Sequence, residues 1–241
     1  MIRRGEILPN TEAPIGEGVT RPVACIARID GESVRVVAKK IRKQEIEAEC
    51  VCAILLRAWG ISVPEPVLLS RADGAVLFGS VHVEYPNLKH TLGIVPGLAA
   101  EKKEKLIAIA ATIVCTWKDA AQALAADELI ENGDRNIGNF LWDGEDHAYI
   151  DHERALGLQT FSRNIIANLA EIAGEATKMR MMSATFAFEK QAESLPTLHP
   201  QDDVDLGWGL DFITERVRNL GERVLARFPT PQDLLNQDAY P

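Results

Sequence analysis

No stretch of the 241-residue chain approaches the roughly 18 consecutive apolar residues that a membrane-spanning helix needs. A membrane span is therefore not expected. The opening Met1-Ile2-Arg3-Arg4-Gly5 has no apolar stretch behind its arginines, so a secretory signal is not expected either. A basic surplus is missing as well. The net charge is −9, which disfavours nucleic acid or an anionic membrane as the main partner, since both reward basic surfaces. Cysteine is sparse. Cys25, Cys50, Cys52 and Cys115 show no zinc spacing and fit reduced core thiols in a cytoplasmic protein. There is no internal repeat and no low-complexity segment. What remains is a composition of 46% hydrophobic and 25% charged residues, typical of a globular protein. The length suits one domain or two lobes.

The most informative stretch is 131–154. Phe140-Leu141-Trp142 and Ala148-Tyr149-Ile150 are short apolar runs separated by a segment that begins Asp143-Gly144, a dipeptide that favours a turn with positive φ. They predict a β-hairpin. Asn139 stands just before the first strand and Asp151 just after the second, and a hairpin brings such flanks together. An amide oxygen and a carboxylate there can hold a hard cation such as Mg²⁺. Asp134, five residues ahead of Asn139, delivers a third polar group to the same mouth. Asp, five residues, Asn, hairpin, Asp is the catalytic arrangement of a phosphotransferase of the protein-kinase type. A surface hairpin with ordinary Asx turns uses the same residue types.

The first third of the chain reads as turn-rich and strand-rich. Residues 1–14 suit an extended arm. Ile15 to Pro22 contains Gly16, Gly18 and Thr20, a loop whose backbone and hydroxyl groups suit phosphate, although a plain turn fits too. Val23–Ile29 and Ser33–Lys39 form a hairpin across Asp30-Gly31. Strand alternation puts Val37 and Lys39 on one face and Lys40 on the other. Lys39 is thus placed to reach phosphates, or else the two lysines are a solvated strand end. Residues 43–59 read as a helix, with Glu49 beside the apolar stripe and Glu47 on the far side. A buried Glu49 wants a cation, and Lys39 is the candidate; an exposed Glu49 at the stripe's edge is the alternative. Val67–Leu69 and Ala75–Phe78 are two further strands, and Gly79-Ser80 after them suit a hinge where adenine bonds to backbone groups.

Beyond residue 85 helices dominate. Residues 101–126 carry a broad apolar face and predict one long central helix. Ser162 suits the cap of a helix over 163–194, broken near Gly174. A polar link over 196–205 leads to a last helix near 207–228.

Four stretches together resemble the HipA-like kinases, relatives of the protein kinases and phosphatidylinositol 3/4-kinases. They are Gly16-Glu17-Gly18-Val19-Thr20-Arg21-Pro22; Glu49 through Leu56 with Gly60-Ile61-Ser62-Val63-Pro64-Glu65-Pro66; Asn132-Gly133-Asp134-Arg135-Asn136-Ile137-Gly138-Asn139; and Tyr149-Ile150-Asp151-His152. The resemblance implies an α+β, bilobal protein-kinase-like fold. Its N-lobe, residues 1–84, is an antiparallel sheet with one helix, and its C-lobe, 85–241, is mainly helical. Asp134 is then the catalytic base and Asn139 and Asp151 the Mg²⁺ ligands. Lys39, braced by Glu49, binds phosphate. Gly16, Gly18, Thr20 and Gly79 complete the nucleotide site.

Two departures stand out. Asn132 occupies the place where protein kinases often have His, and Glu153-Arg154 follows Asp151-His152 where the family usually has Gly. The expected activity is transfer of the γ-phosphate of ATP, with Mg²⁺, to a protein Ser/Thr hydroxyl. A small molecule or lipid head group as acceptor, or a pseudokinase acting by interaction, are the alternatives.

Overall fold

The structure is a computed structural model and describes residues 2–16, 20–194 and 204–228. It is of the α+β class. The strands come first: β1 Arg3–Ile7, β2 Ala13–Pro14, β3 Val23–Ile29, β4 Glu32–Lys39, then helix α1 Lys43–Ala58, then β5 Pro66–Ser70 and β6 Val76–Val81. The sheet order is β1-β5-β6-β4-β3-β2, and β1 also pairs with β3, so five strands close into a barrel with β2 outside.

The opening residues are extended, as expected, but Arg3–Ile7 belongs to the barrel rather than to an arm. The sheet is mainly antiparallel, as expected, with one parallel pairing, β1 with β5, where Gly5 stands opposite Leu69. Gly5 makes the closure possible. A Cβ there would lie 2.7 Å from Ile29 Cγ1 and 3.2 Å from the Arg28 carbonyl oxygen. Alternate residues fill the interior: Ile7, Cys25, Ala27, Ile29, Val36, Ala38, Val67, Leu69 and Leu77 form one buried cluster.

Strand alternation puts Leu68 and Phe78 on the outside of the barrel, where they join the larger core shared with α1 and the helices beyond. α1 starts on a capping box. The Arg42 N–H donates to Glu45 Oε2 at 2.8 Å. Its Glu47 is not on an open face as expected. It is buried, accepting from the Asp205 N–H at 3.0 Å and from Trp208 Nε1 at 3.1 Å.

Helices follow: α2 Leu88–Thr91, α3 Ala100–Thr116, α4 Ala120–Ile130, then the hairpin β7 Phe140–Trp142 and β8 His147–Tyr149, then α5 Ile165–Ala173, α6 Glu175–Ala192, α7 Gly207–Arg216 and α8 Leu220–Leu225. The single helix expected over 101–126 is two helices, bent by 98°. The bend is made by tertiary bonds rather than by Pro or Gly. Trp117 turns extended, and its ring stacks on His147 with centroids 4.2 Å apart. Asp119 accepts from the Ser62 N–H at 2.9 Å and from the Tyr149 hydroxyl at 3.2 Å, and lies 2.7 Å from His147 Nε2. The break at Gly174 is present, with φ +100°. The cap before α5 is Asn164, not Ser162: its side chain accepts from the N–H groups of Ile166 and Ala167. Most of the link expected over 196–205 lies outside the described residues. Among those described, no single helix is long and apolar enough to cross a membrane.

Candidate active site

The β7–β8 hairpin pairs Phe140 with Tyr149, Leu141 with Ala148 and Trp142 with His147. Its turn is held by Asp143 Oδ1, which accepts from the N–H groups of Glu145 and Asp146. Phe140, Tyr149 and Ala148 are buried, so the core pins the hairpin. At its open end the Ile150 N–H donates to the Asn139 carbonyl at 3.1 Å. The flanks carrying Asn139 and Asp151 are therefore adjacent.

Asn139 ends a short 3₁₀ turn, Ile137–Asn139, capped by Asn136. Its side chain closes the loop on itself. Nδ2 donates to the Asp134 carbonyl at 3.4 Å, and Oδ1 accepts from Asn136 Nδ2 at 3.2 Å. Asp134 is half-buried at the mouth of this loop. Gly133 lets the loop approach the segment beyond the hairpin, since a Cβ there would stand 2.8 Å from the Thr160 carbonyl oxygen.

Asp151 leaves the hairpin with φ +72°, in the left-handed region. That turn aims it at the barrel. Its Oδ1 lies 2.7 Å from Lys39 Nζ, and Glu49 Oε1 is also 2.7 Å from that nitrogen. Glu153 Oε2 is a third partner at 3.3 Å. An ammonium has three donors and no acceptor, so three carboxylates saturate it. Burial alone would push the Lys39 ammonium down; Glu49, Asp151 and Glu153 outweigh it and hold it above the usual lysine value. Burial would likewise raise Glu49, but Lys39 and the bond from His152 bring it down to about 2. Glu153 goes the other way: burial, with help from Asp151 and Glu49, raises it despite Lys39.

A buried chain of contacts runs behind this cluster. Arg135 Nη2 donates to Asp127 Oδ1 at 2.8 Å, and its Nε bonds to the other oxygen of that carboxylate. Arg135 Nη2 also lies 3.0 Å from His152 Nε2. Arginine has no acceptor, so this imidazole nitrogen must accept, which leaves the ring proton on Nδ1, 3.5 Å from Glu49 Oε2. The His152 N–H donates to the same oxygen at 3.1 Å. The helical half is thus wired through α1 to Lys39. Sequence reasoning assigned Arg135 and His152 no part in this. The sequence offered one signal: Asp127, Arg135 and His152 stand close to the expected site residues, and a charge that becomes buried there needs a partner.

The remaining expected residues are placed as follows. Gly16 is exposed with φ +79°, and Thr20 is half-buried. The Ile15 N–H donates to the Pro22 carbonyl at 3.2 Å, closing the loop that carries both. Gly18 lies outside the described residues. Gly79 is not at a bend. It sits within β6, opposite Ala38 and Val67, and a Cβ there would meet Leu69 Cδ1 at 2.5 Å inside the barrel. The strand continues to Val81, and the chain leaves the sheet over residues 82–87.

Against known proteins, the model of the HipA-like kinase family matches residues 11–170. The chain belongs to the HipA-like kinase family. No curated protein matches it. Among solved structures it is similar to the proinflammatory kinase CtkA of Helicobacter pylori, at 12% identity and a TM-score of 0.53, over 92% of this chain and 95% of that one. At that identity the likeness speaks for the fold. Family and fold together support a kinase activity, and a HipA-like kinase uses ATP, a divalent metal and an acceptor.

The residues present fit a hard divalent cation. Asn139 and Asp151 offer oxygen donors on adjacent backbone, and carboxylate oxygens of Glu49, Asp151 and Glu153 lie within 4.8 Å of one another. No thiol or imidazole belongs to this set, which disfavours a softer metal.

Proposed function

We propose that this chain is a two-lobed, Mg²⁺- and ATP-dependent phosphotransferase, with lobes 1–84 and 85–241. Its acceptor is a protein Ser/Thr hydroxyl in the cytoplasm. The observation that carries the reading is the meeting of Lys39 with Glu49 and Asp151, beside the loop from Asp134 to Asn139.

Each residue has a role that its position supports. Lys39 reaches the phosphates, and Glu49 keeps the ammonium charged and aimed. Asp151 and Asn139 would hold Mg²⁺, which when bound neutralises charge on the phosphate oxygens. Asp134 faces the acceptor hydroxyl and takes its proton as the new P–O bond forms. Its carbonyl accepts from Asn139 Nδ2, which fixes the base's backbone relative to the metal-side amide. Gly16 and Thr20 would line the phosphate side; Gly18, expected with them, lies outside the described residues. Adenine bonds to the backbone of 82–87, where the chain leaves the sheet, rather than at Gly79.

The test is incubation with γ-labelled ATP and Mg²⁺, with and without a cell lysate. Label on this chain or on another protein supports the reading. Label on a low-mass species or lipid moves the acceptor to that class. No label and no ATP consumption sinks the enzyme and leaves a nucleotide-binding pseudokinase.

A further inference from the structure

The turn after β8 sends two neighbouring side chains in opposite directions. Glu153 points inward and is buried against Lys39. Arg154 points to the mouth of the site. Its Nε lies 3.7 Å from Asp134 Oδ2, and its Nη1 donates to Gln159 Oε1 at 3.2 Å. The backbone beneath it is anchored. Ala155 and Leu156 are buried, the Ala155 N–H donates to the His152 carbonyl at 3.0 Å, and the Leu156 N–H donates to the Ile130 carbonyl at 2.6 Å. The guanidinium is thus presented from a fixed base on a long, half-exposed side chain.

The cations around the site are not equivalent. Lys39 is saturated by three carboxylates. Arg135 is spent on Asp127 in the core. Arg154 holds its carboxylate loosely, at 3.7 Å with both side chains more than a third exposed, and such a pair is readily exchanged. Its partner is the group that faces the acceptor hydroxyl in the reading above.

We infer that Arg154 is a further catalytic residue, whose guanidinium turns from Asp134 onto the oxygens of the phosphoryl group in transit. The inference rests on the kinase reading. In the step concerned, the bond from the γ-phosphorus to the bridging oxygen breaks and its electron pair leaves with ADP. The acceptor oxygen forms the new bond to phosphorus, and its proton passes to the Asp134 carboxylate. Arg154 forms no covalent bond. Its planar fork donates hydrogen bonds to the equatorial oxygens, where charge is spread in the transition state. As Asp134 takes the proton it loses the charge that held the guanidinium, so the exchange and the transfer support each other.

The test uses the full chain and the variants Arg154→Ala and Arg154→Lys. Two quantities are measured: steady-state ATP turnover, and affinity for ADP with Mg²⁺, with and without aluminium fluoride as a mimic of the phosphoryl group in transit. For Arg154→Ala the expectation is a fall in kcat of roughly 10³-fold, within the range arginines contribute in phosphoryl transfer. KM for ATP should stay close to the unmutated value. Affinity for ADP with aluminium fluoride should fall by a similar factor while affinity for ADP alone holds. Arg154→Lys should recover only part, because the fork is gone. An unchanged kcat overturns the inference while leaving the kinase standing. So does a lowered kcat with full affinity for the fluoride complex, since Arg154 would then act only by holding Asp134. If the unmutated chain consumes no ATP, the kinase reading itself fails and this inference with it.

Discussion

Lys39 and Asp151, 112 residues apart in the chain, meet at 2.7 Å. The cation that would bind phosphate is therefore lodged on a carboxylate that would bind metal. On the proposed reading, loading the site would trade one contact for another, with Asp151 released to the ion and Lys39 to the nucleotide.

That trade makes Lys39→Ala a variant with two opposite effects. ATP turnover should fall by about 10²-fold or more through loss of charge stabilisation. Binding of Mg²⁺ alone should tighten, because Asp151, Glu49 and Glu153 lose their shared counter-charge. Lys40→Ala, at an exposed position, should change neither. Calorimetric titration of Mg²⁺ beside a turnover assay checks all three; equal losses in the two lysine variants would sink the assignment.

Asp134 and Asp151 should differ in kind. Asp134→Asn should leave Mg²⁺–ATP binding in place and slow transfer by roughly 10²–10⁴-fold, the usual worth of a general base. Asp151→Asn should weaken Mg²⁺–ATP binding itself. Titration of nucleotide with Mg²⁺, run on both variants, separates them. Transfer at the unmutated rate by Asp134→Asn would show the mechanism to be wrong even with the fold intact.

Arg135 and Asp127 make a prediction about stability. Both are almost fully buried, so removing one strands the other. Arg135→Leu should cost about 3–5 kcal/mol, whereas Arg135→Met with Asp127→Leu should recover most of it. Burial alone would lower the guanidinium's affinity for its proton; Asp127 reverses this and raises it, so the pair stays ionic. Urea unfolding of both variants gives the comparison, and an equal cost in the two would show that the stranded Asp127 carboxylate is not the source of the loss.

Asp119 makes one about pH. Burial would raise its carboxyl, but bonds from His147, the Ser62 N–H and the Tyr149 hydroxyl hold it below its ordinary value of 3.8. A carboxyl depressed in the folded state stabilises fully above that value, and the gain is lost as pH falls through it toward the folded pKa. Asp119→Asn should therefore cost about 1–3 kcal/mol near pH 7. The gap between the two proteins should narrow as pH drops below 3.8. Unfolding curves taken at both pH values test the sign; a gap that widens in acid refutes it.

What could be read from sequence was local. Asp30-Gly31 and Asp143-Gly144 announced their turns, alternation separated Lys39 from Lys40, and Gly174 marked its helix break. The hairpin reading anticipated that the flanks carrying Asn139 and Asp151 lie side by side. What escaped was made by distant contacts. Nothing near Arg3–Ile7 says that it pairs with strands on both sides to close a barrel. Trp117-Lys118-Asp119 contains no helix breaker, and bends because Ser62, His147 and Tyr149 pull on Asp119. Gly79 suggested a hinge by residue type, whereas its missing side chain makes room for Leu69. Glu47 looked solvent-facing until α7 covered it. In the site, Glu153 and Arg154 were visible as departures from a family pattern, but adjacency in sequence gave no hint that they face opposite ways.

The tethers on α1 bear on how the molecule can be turned on and off. Two residues apart, Glu47 is bound to Asp205 and Trp208, and Glu49 to Lys39 and the backbone of His152. Rotating or withdrawing this helix would strip two buried carboxylates of their partners at once, a cost of several kcal/mol. Swinging this helix is therefore a poor lever for regulation here. Any control of this site would have to work with α1 left in place.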